Sequence, residues 1–264
     1  MPKFAANLSM LFTERPFPDR FQAAAAAGFK GIEFLFPYEF EVHALAQHWA
    51  ASGLTQVLFN MPPGDWAKGE RGIACLPGRR GEFQAGVTAA LSYAHALSCN
   101  QIHCMAGIVP AGLDPAAARA TYIENLRYAA AMLAADGIKL LIEPINTFDM
   151  PGFFLNRTAQ ALDIISEAGM PNIRLQYDCY HMHLMEGHLA ATIERHLPSI
   201  AHVQIAGAPG RHEPNTGEID YPPLFQLLDR LGYDGWVGCE YRPKSGTLEG
   251  LGWMENALSK VRAS

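Results

Sequence analysis

The chain has 264 residues, a formal net charge of −6 and hydrophobic residues at 49% of its positions. This length and apolar fraction allow a large core, and single-domain α/β barrels commonly reach this size. The acidic balance argues against a nucleic-acid binder and against docking on an anionic membrane, because both need a basic face. No apolar run approaches the roughly 20 residues that span a bilayer. Asn7 and Ser9 interrupt the apolar stretch at the N-terminus, which is unlike a signal peptide, and the five cysteines contain no C-x-x-C pair. We therefore expect a cytoplasmic protein with reduced thiols.

Strand-like and helix-like segments alternate from one end of the chain to the other. Strands are predicted at residues 4–7, 31–34, 54–60, 101–105, 139–143, 173–178, 200–204 and 236–240. Helices are predicted at residues 19–27, 41–51, 79–97, 115–135, 158–168, 189–196, 222–231 and 247–261. Thr158 is a candidate cap for its helix. Eight strands alternating with eight helices, without a linker, predict an α/β fold: one (β/α)8 TIM barrel domain over residues 1–264.

Four of the predicted strands end in a side chain that can bind a metal ion. These side chains are Glu143, Asp178, Gln204 and Glu240. In a parallel barrel the carboxyl ends of the strands converge on one face, and a buried carboxylate there is costly unless it is paired or metal-bound. Any one acidic strand end is more often a helix cap or a partner for arginine. The occurrence of all four favours a single divalent cation, and oxygen ligands suit Mg²⁺ or Mn²⁺.

A metal ion surrounded by carboxylates would favour a particular type of reaction. A metal ion with spare coordination positions can hold the adjacent oxygens of an α-hydroxycarbonyl compound and act as a Lewis acid on the carbonyl. Carboxylates on opposite sides of that compound can move a proton between neighbouring carbons through an enediolate. The residues thus predict aldose–ketose isomerisation of a small molecule, with no redox cofactor.

Two arginines fall in loops at the face where the strands end. Arg71 and Arg211 each offer a planar fork that suits a carboxylate, so they are the first candidates to bind an acidic substrate. The alternative is an ordinary loop salt bridge with Glu70 or Glu213, and this alternative is the commoner situation.

Further side chains have less specific signals. His181, three residues after Asp178, either contacts the substrate or lies at a helix start without a task. Asn7 ends the first predicted strand and is a further substrate-binding candidate. Trp66 either forms a wall or lid over the predicted metal site or only packs within its loop. Cys179 and Cys239 are sequence neighbours of two proposed ligands. Their side chains should point the opposite way and pack in the core.

Five segments resemble one known family. They are residues 5–12 (AANLSMLF), 64–72 (GDWAKGERG), 142–146 (IEPIN), 177–182 (YDCYHM) and 238–241 (GCEY). They look like hydroxypyruvate isomerase, a family that includes the 2-oxo-tetronate isomerases and belongs to the xylose-isomerase-like barrels. The resemblance runs from the first predicted strand to beyond the last, and most related sugar epimerases do not share the long 64–72 loop.

The resemblance implies roles for individual residues. It implies a divalent metal held by Glu143, Asp178, Gln204 and Glu240, with Glu143 and Glu240 as the acid/base pair. It makes His181 a substrate or metal-site contact. Related sugar epimerases usually carry histidine at the position of Gln204, which leaves the metal preference open. The implied reaction is hydroxypyruvate to 2-hydroxy-3-oxopropanoate, or the same step on a four-carbon 2-oxo acid. The relatives also suggest a homo-oligomer.

Two rival functions come from other classes. One is a metal phosphodiesterase similar to endonuclease IV, which shares this barrel but uses a histidine-rich cluster of about three zinc ions. The other is a non-catalytic barrel that binds sugar acids. Metal content and solvent proton exchange into the substrate discriminate among the three.

Overall fold

The computed structural model describes residues 2–254 and contains a closed barrel of eight parallel strands. The strands are β1 Lys3–Asn7, β2 Gly31–Glu33, β3 Thr55–Asn60, β4 Gln101–His103, β5 Lys139–Ile142, β6 Ile173–Asp178, β7 Ile200–Ile205 and β8 Trp236–Cys239. Each strand pairs with the next in sequence, and β1 closes the ring against β8, where Lys3 lies opposite Trp236. The predicted (β/α)8 barrel is confirmed.

Helices surround this ring on the outside. They are α1 Phe17–Ala26, α2 Val42–Ser52, α3 Arg80–Ala96, α4 Pro115–Ala134, α5 Thr158–Ala168, α6 Cys179–Met185, α7 Leu189–His196, α8 Tyr221–Arg230 and α9 Thr247–Gly250. Between residues 2 and 254, none of them has the length and apolar content needed to cross a membrane.

Alternation along the strands separates two environments. Phe4 and Ala6 belong to the main core beneath the helices, whereas Ala5 between them packs in a separate small cluster. Successive side chains of a strand point to opposite faces, so Ala5 faces the barrel interior. The same alternation puts Cys239 of β8 in the main core, and Cys179, which begins a helix directly after β6, also packs there, as predicted.

The structure differs from the prediction at three helices. Helix α6 follows β6 directly and was not predicted, because a strand that passes into a helix without a turn leaves no break in the sequence. Thr158 does not cap α5 with its own side chain. Instead Glu186 accepts the Thr158 backbone N–H at 2.7 Å and its hydroxyl at 2.8 Å. Of the helix predicted at 247–261, α9 covers the start, and residues 255–261 lie outside the described part.

Candidate active site

A cavity of about 830 Å³ opens where the strands end. Its lining includes six of the residues that the sequence suggested: Arg71, Trp66, Glu143, His181, Arg211 and Glu240. Asp178 and Gln204 are buried and contact this set through the hydrogen bonds described below. Asn7 is also buried, and its side-chain amide donates to Glu33 at 3.1 Å.

Three buried carboxyl groups share the site. Burial raises the pKa of Glu143 well above its ordinary value, and the charges of Glu240 and Asp178 raise it further. Burial likewise raises the pKa of Asp178, although Arg211 opposes the shift. Burial raises the pKa of Glu240 to about 8, again against the effect of Arg211. Three carboxyl groups this close cannot all be ionised cheaply without a compensating cation.

Arg211 is the cation that compensates this charge. Its guanidinium donates to Asp178 Oδ2 at 2.9 Å and to Glu240 Oε1 at 2.8 Å. Burial opposes its charge, but Glu240 and Asp178 keep the pKa of Arg211 above its ordinary value. The expected alternative of a loop salt bridge with Glu213 is therefore wrong. Glu213 is close in sequence, but its carboxylate accepts the backbone N–H of Lys244.

Two glutamine amides connect the carboxylates. The side chain of Gln176 donates to Glu143 Oε2 at 3.1 Å and to Gln204 Oε1 at 2.7 Å. Gln204 in turn donates to Glu33 Oε1 at 2.8 Å and to Glu240 Oε2. A fully paired amide has a fixed orientation, so Gln204 presents its oxygen on the side of Gln176 and Glu143.

Glu33 anchors this network from the opposite wall of the barrel. It accepts hydrogen bonds from Asn7, Gln204 and His202, the last at 2.7 Å. Space for its carboxyl group exists because β8 has a glycine at the facing position. A Cβ atom on Gly238 would collide with the carboxyl oxygens of Glu33.

His181 lies beside two of the carboxylates. Its Nε2 is 3.6 Å from Asp178 Oδ2 and 3.8 Å from Glu143 Oε1. Ligand atoms of these three residues lie within 4.8 Å of one another, so the group could hold a metal ion. His103, at the end of β4, approaches the same place, with Nδ1 at 3.2 Å from Asn60 Oδ1 and 3.6 Å from Glu143 Oε2.

The loop that follows β3 forms one wall of the cavity. Arg71 stacks over the Trp66 ring at 3.8 Å from its centroid and donates to the Trp66 carbonyl at 3.1 Å. The expected alternative of a salt bridge between Arg71 and Glu70 is wrong, because Glu70 pairs with Arg79 at 2.6 Å. Trp66 thus shapes the cavity, and Arg71 keeps its charge available at the cavity wall.

The sequence reasoning missed several cavity residues. Gln176 lies two positions before Asp178, so strand alternation alone would have placed it on the same inward face. Arg242 lies two positions after Glu240 and could have been found as a third cation. Asp149 and Tyr180 carry no such signal, because a loop and the unpredicted α6 bring them together, with the Tyr180 hydroxyl donating to Asp149 at 3.0 Å.

Comparison with known proteins agrees with this architecture. The family model described as xylose isomerase-like TIM barrel matches residues 21–257. The 2-oxo-tetronate isomerase of Cupriavidus necator is 54% identical over 260 residues, which cover 98% of this chain and 100% of that protein. The hydroxypyruvate isomerase of Escherichia coli K12 is 52% identical over 255 residues, covering 97% and 99%. The crystal structure of a protein named AP endonuclease, family 2, from Brucella melitensis matches with a TM-score of 0.95 and 51% identity, covering 97% and 99%.

The chain therefore belongs to the xylose isomerase-like TIM barrels and, within them, to the family of hydroxypyruvate isomerases and 2-oxo-tetronate isomerases. The resemblance seen in the five sequence segments is confirmed, and so is the prediction that the chain is an isomerase.

Proposed function

We propose that this enzyme isomerises short 2-oxo acids that carry a neighbouring hydroxyl group, by proton transfer through an enediolate. The substrate would be hydroxypyruvate, giving 2-hydroxy-3-oxopropanoate, or 2-oxo-tetronate, giving 3-oxo-tetronate. Relatives with both names cover nearly the whole chain. The observation that carries the proposal is that Glu143 and Glu240 line one cavity from strands separated by two others, as a proton-transfer pair must.

Each member of this pair is suited to exchange a proton. The pKa of Glu240 is raised to about 8, so the group is mostly protonated at neutral pH but lies close enough to it to give or take a proton. The pKa of Glu143 is raised as well, chiefly by burial. In our proposal one carboxylate removes the proton from the hydroxyl-bearing carbon, and the other delivers a proton to the neighbouring carbonyl carbon. The hydroxyl proton passes to the former carbonyl oxygen, so that the carbonyl and the hydroxyl group exchange places.

The donor set fits a hard divalent cation. The cation would be held by side-chain oxygen atoms, the ligands that hard cations prefer. These oxygens belong to Glu143, Asp178, Gln204 and Glu240. The buried Oε1 of Glu143 has no hydrogen-bond partner, which is costly for an atom that does not bind an ion. When bound, Mg²⁺ or Mn²⁺ would polarise the substrate carbonyl and stabilise negative charge on the enediolate oxygens.

Cationic side chains would bind the substrate carboxylate. Arg211 already contacts two of the carboxylates, so we assign it to charge balance as well as to substrate binding. Arg71 and Arg242 also line the cavity and can reach an acid that enters from outside. We place His181 next to the reacting oxygens, because its Nε2 lies between two carboxylates.

The name of the similar Brucella melitensis protein keeps the phosphodiesterase as a second candidate. Against it, the part of the chain that the structure describes contains one three-residue group suited to a metal ion, and this group has a single histidine. A cluster of zinc ions would require more nitrogen ligands than that. The net charge of −6 also disfavours a DNA backbone as the substrate.

The test is an isomerase assay with purified, metal-stripped protein. Hydroxypyruvate and 2-oxo-tetronate are assayed side by side, with and without Mg²⁺ or Mn²⁺, and kcat/KM is compared. Metal-dependent turnover of either acid supports the proposal, and the better substrate identifies the chain length. No turnover of either acid with any metal would overturn it. A duplex with an abasic site and a metal analysis would then test the phosphodiesterase, and ligand binding without proton exchange would indicate a binding barrel.

A further inference from the structure

Asn146 lies three residues after Glu143 in the loop between β5 and α5, and it is fully buried. Its side-chain oxygen accepts the backbone N–H of Phe148 at 3.0 Å and of Asp149 at 2.8 Å. Turning the amide over would point its NH₂ group at two N–H donors. The orientation of the amide is therefore determined by the loop and not by its other neighbours.

The NH₂ group of Asn146 consequently faces the other way. It donates to Asp149 Oδ2 at 2.9 Å and lies 2.7 Å from Nδ1 of His181. A hydrogen bond at that distance requires Nδ1 to be the acceptor, because an amide nitrogen offers only hydrogens. A neutral ring with a bare Nδ1 carries its proton on Nε2.

That proton points into the site. Nε2 lies between Asp178 Oδ2 at 3.6 Å and Glu143 Oε1 at 3.8 Å. Both distances are too long for a good hydrogen bond, and His181 lines the cavity, so the Nε2 proton is available to a group that binds there. A protonated ring nitrogen has no lone pair for a cation, although the position of His181 alone would allow it to be a ligand.

We propose that Asn146 is a positioning residue that locks His181 in the Nε2–H form, so that His181 donates a hydrogen bond to a substrate oxygen and stays out of the metal-ligand set. The inference rests on the proposed function only for the identity of that oxygen. The state of the ring can be measured without any turnover.

The experiment is nitrogen NMR on the full chain labelled with ¹⁵N-histidine, first without metal. The His181 signals are assigned by their loss in His181→Gln. We expect a pyridine-type Nδ1 and a pyrrole-type Nε2 in the wild type. A pyrrole-type Nδ1 in the wild type would overturn the proposal, and this arm needs no Asn146 variant to fold. Added Zn²⁺, which takes imidazole readily, should leave Nε2 protonated, whereas a metal-coordinated Nε2 would also overturn it.

Asn146→Asp tests the cause. It keeps the shape and the acceptor for the two backbone N–H groups, but it replaces the donor to His181 with an oxygen. We expect the pyridine-type Nδ1 signal to disappear and kcat to fall at least tenfold. The matched control is Asn156→Asp in the same loop, where the lost donors serve the carbonyls of Phe153 and Phe154. An unchanged His181 spectrum in Asn146→Asp would contradict the proposal. If no substrate turns over in the wild type, the spectra still decide it.

Discussion

The interior of the barrel has two parts that differ in chemistry. One is a small apolar cluster, separate from the main core, formed by Ala5, Val57, Leu58 and Leu141. The other is the polar layer where the strands end, formed by Glu33, Gln176, Gln204 and the carboxyl groups around them. Both are buried. The apolar cluster gains stability from burial alone, whereas the polar layer is tolerated only because its members bond one another.

The two parts therefore have different roles in the protein. Apolar packing within the strands supports the ring and has no preferred direction. The polar layer has hydrogen bonds with defined donors and acceptors, and these determine where each oxygen of the site points. Substitutions in the first part should therefore change stability, and substitutions in the second should change activity.

The largest effect is expected from the proposed proton-transfer pair. Glu143→Gln or Glu240→Gln removes a carboxyl group without changing its shape, so kcat should fall about 10²- to 10⁴-fold. The melting temperature of Glu143→Gln should stay within a few degrees, because a costly buried acid has been replaced by a neutral amide. Glu240→Gln should be less stable, because the buried Arg211 loses one of its two carboxylate partners. Steady-state kinetics and a thermal scan measure both quantities. Near-wild-type turnover in either variant would show that its carboxyl group moves no proton.

The opposite result is expected in the apolar cluster. Leu141→Ala leaves a cavity at a fully buried position and should lower the free energy of unfolding by about 2–5 kcal/mol. Its kcat/KM at a temperature where it is folded should remain close to that of the wild type. Denaturant unfolding and kinetics at low temperature measure the two effects. A large loss of activity in this folded variant would mean that the two parts are coupled.

A pH effect should arise from His103 in the polar layer. Burial lowers its pKa from 6.5 to about 3, and the charge of His202 adds a smaller effect in the same direction. A lowered folded-state pKa gives stability that is present above pH 6.5 and is lost as the pH falls toward 3. Wild type should lose roughly 3 kcal/mol more than His103→Asn between about pH 6.5 and pH 4. If the free energy of unfolding of the two proteins fell by the same amount across this pH range, the pH effect would not come from His103.

The positions of the strand ends were predicted well from the sequence. Continuous apolar runs revealed the strands, and Glu143, Asp178, Gln204 and Glu240 were placed at their ends, as the structure has them within one residue. Contacts between distant segments were not predictable in the same way. Arg211 pairs with Asp178 and Glu240 because the barrel closes, while its sequence neighbours suggested another partner.

The smallest effect we expect is from the glycine that makes room for Glu33. In Gly238→Ala the added Cβ would meet the Glu33 carboxyl group, so the network around Gln204 must shift, at a cost of about 1–3 kcal/mol. Because Gln204 also donates to Glu240, kcat should fall severalfold as well. Gly81→Ala in α3 is the matched control, since a Cβ atom there meets nothing within 4 Å and should be neutral or slightly stabilising. If both variants had wild-type stability and kcat, the Glu33 network would not control the geometry of the site, and the division between a supporting part and a directing part of the interior would lose its basis.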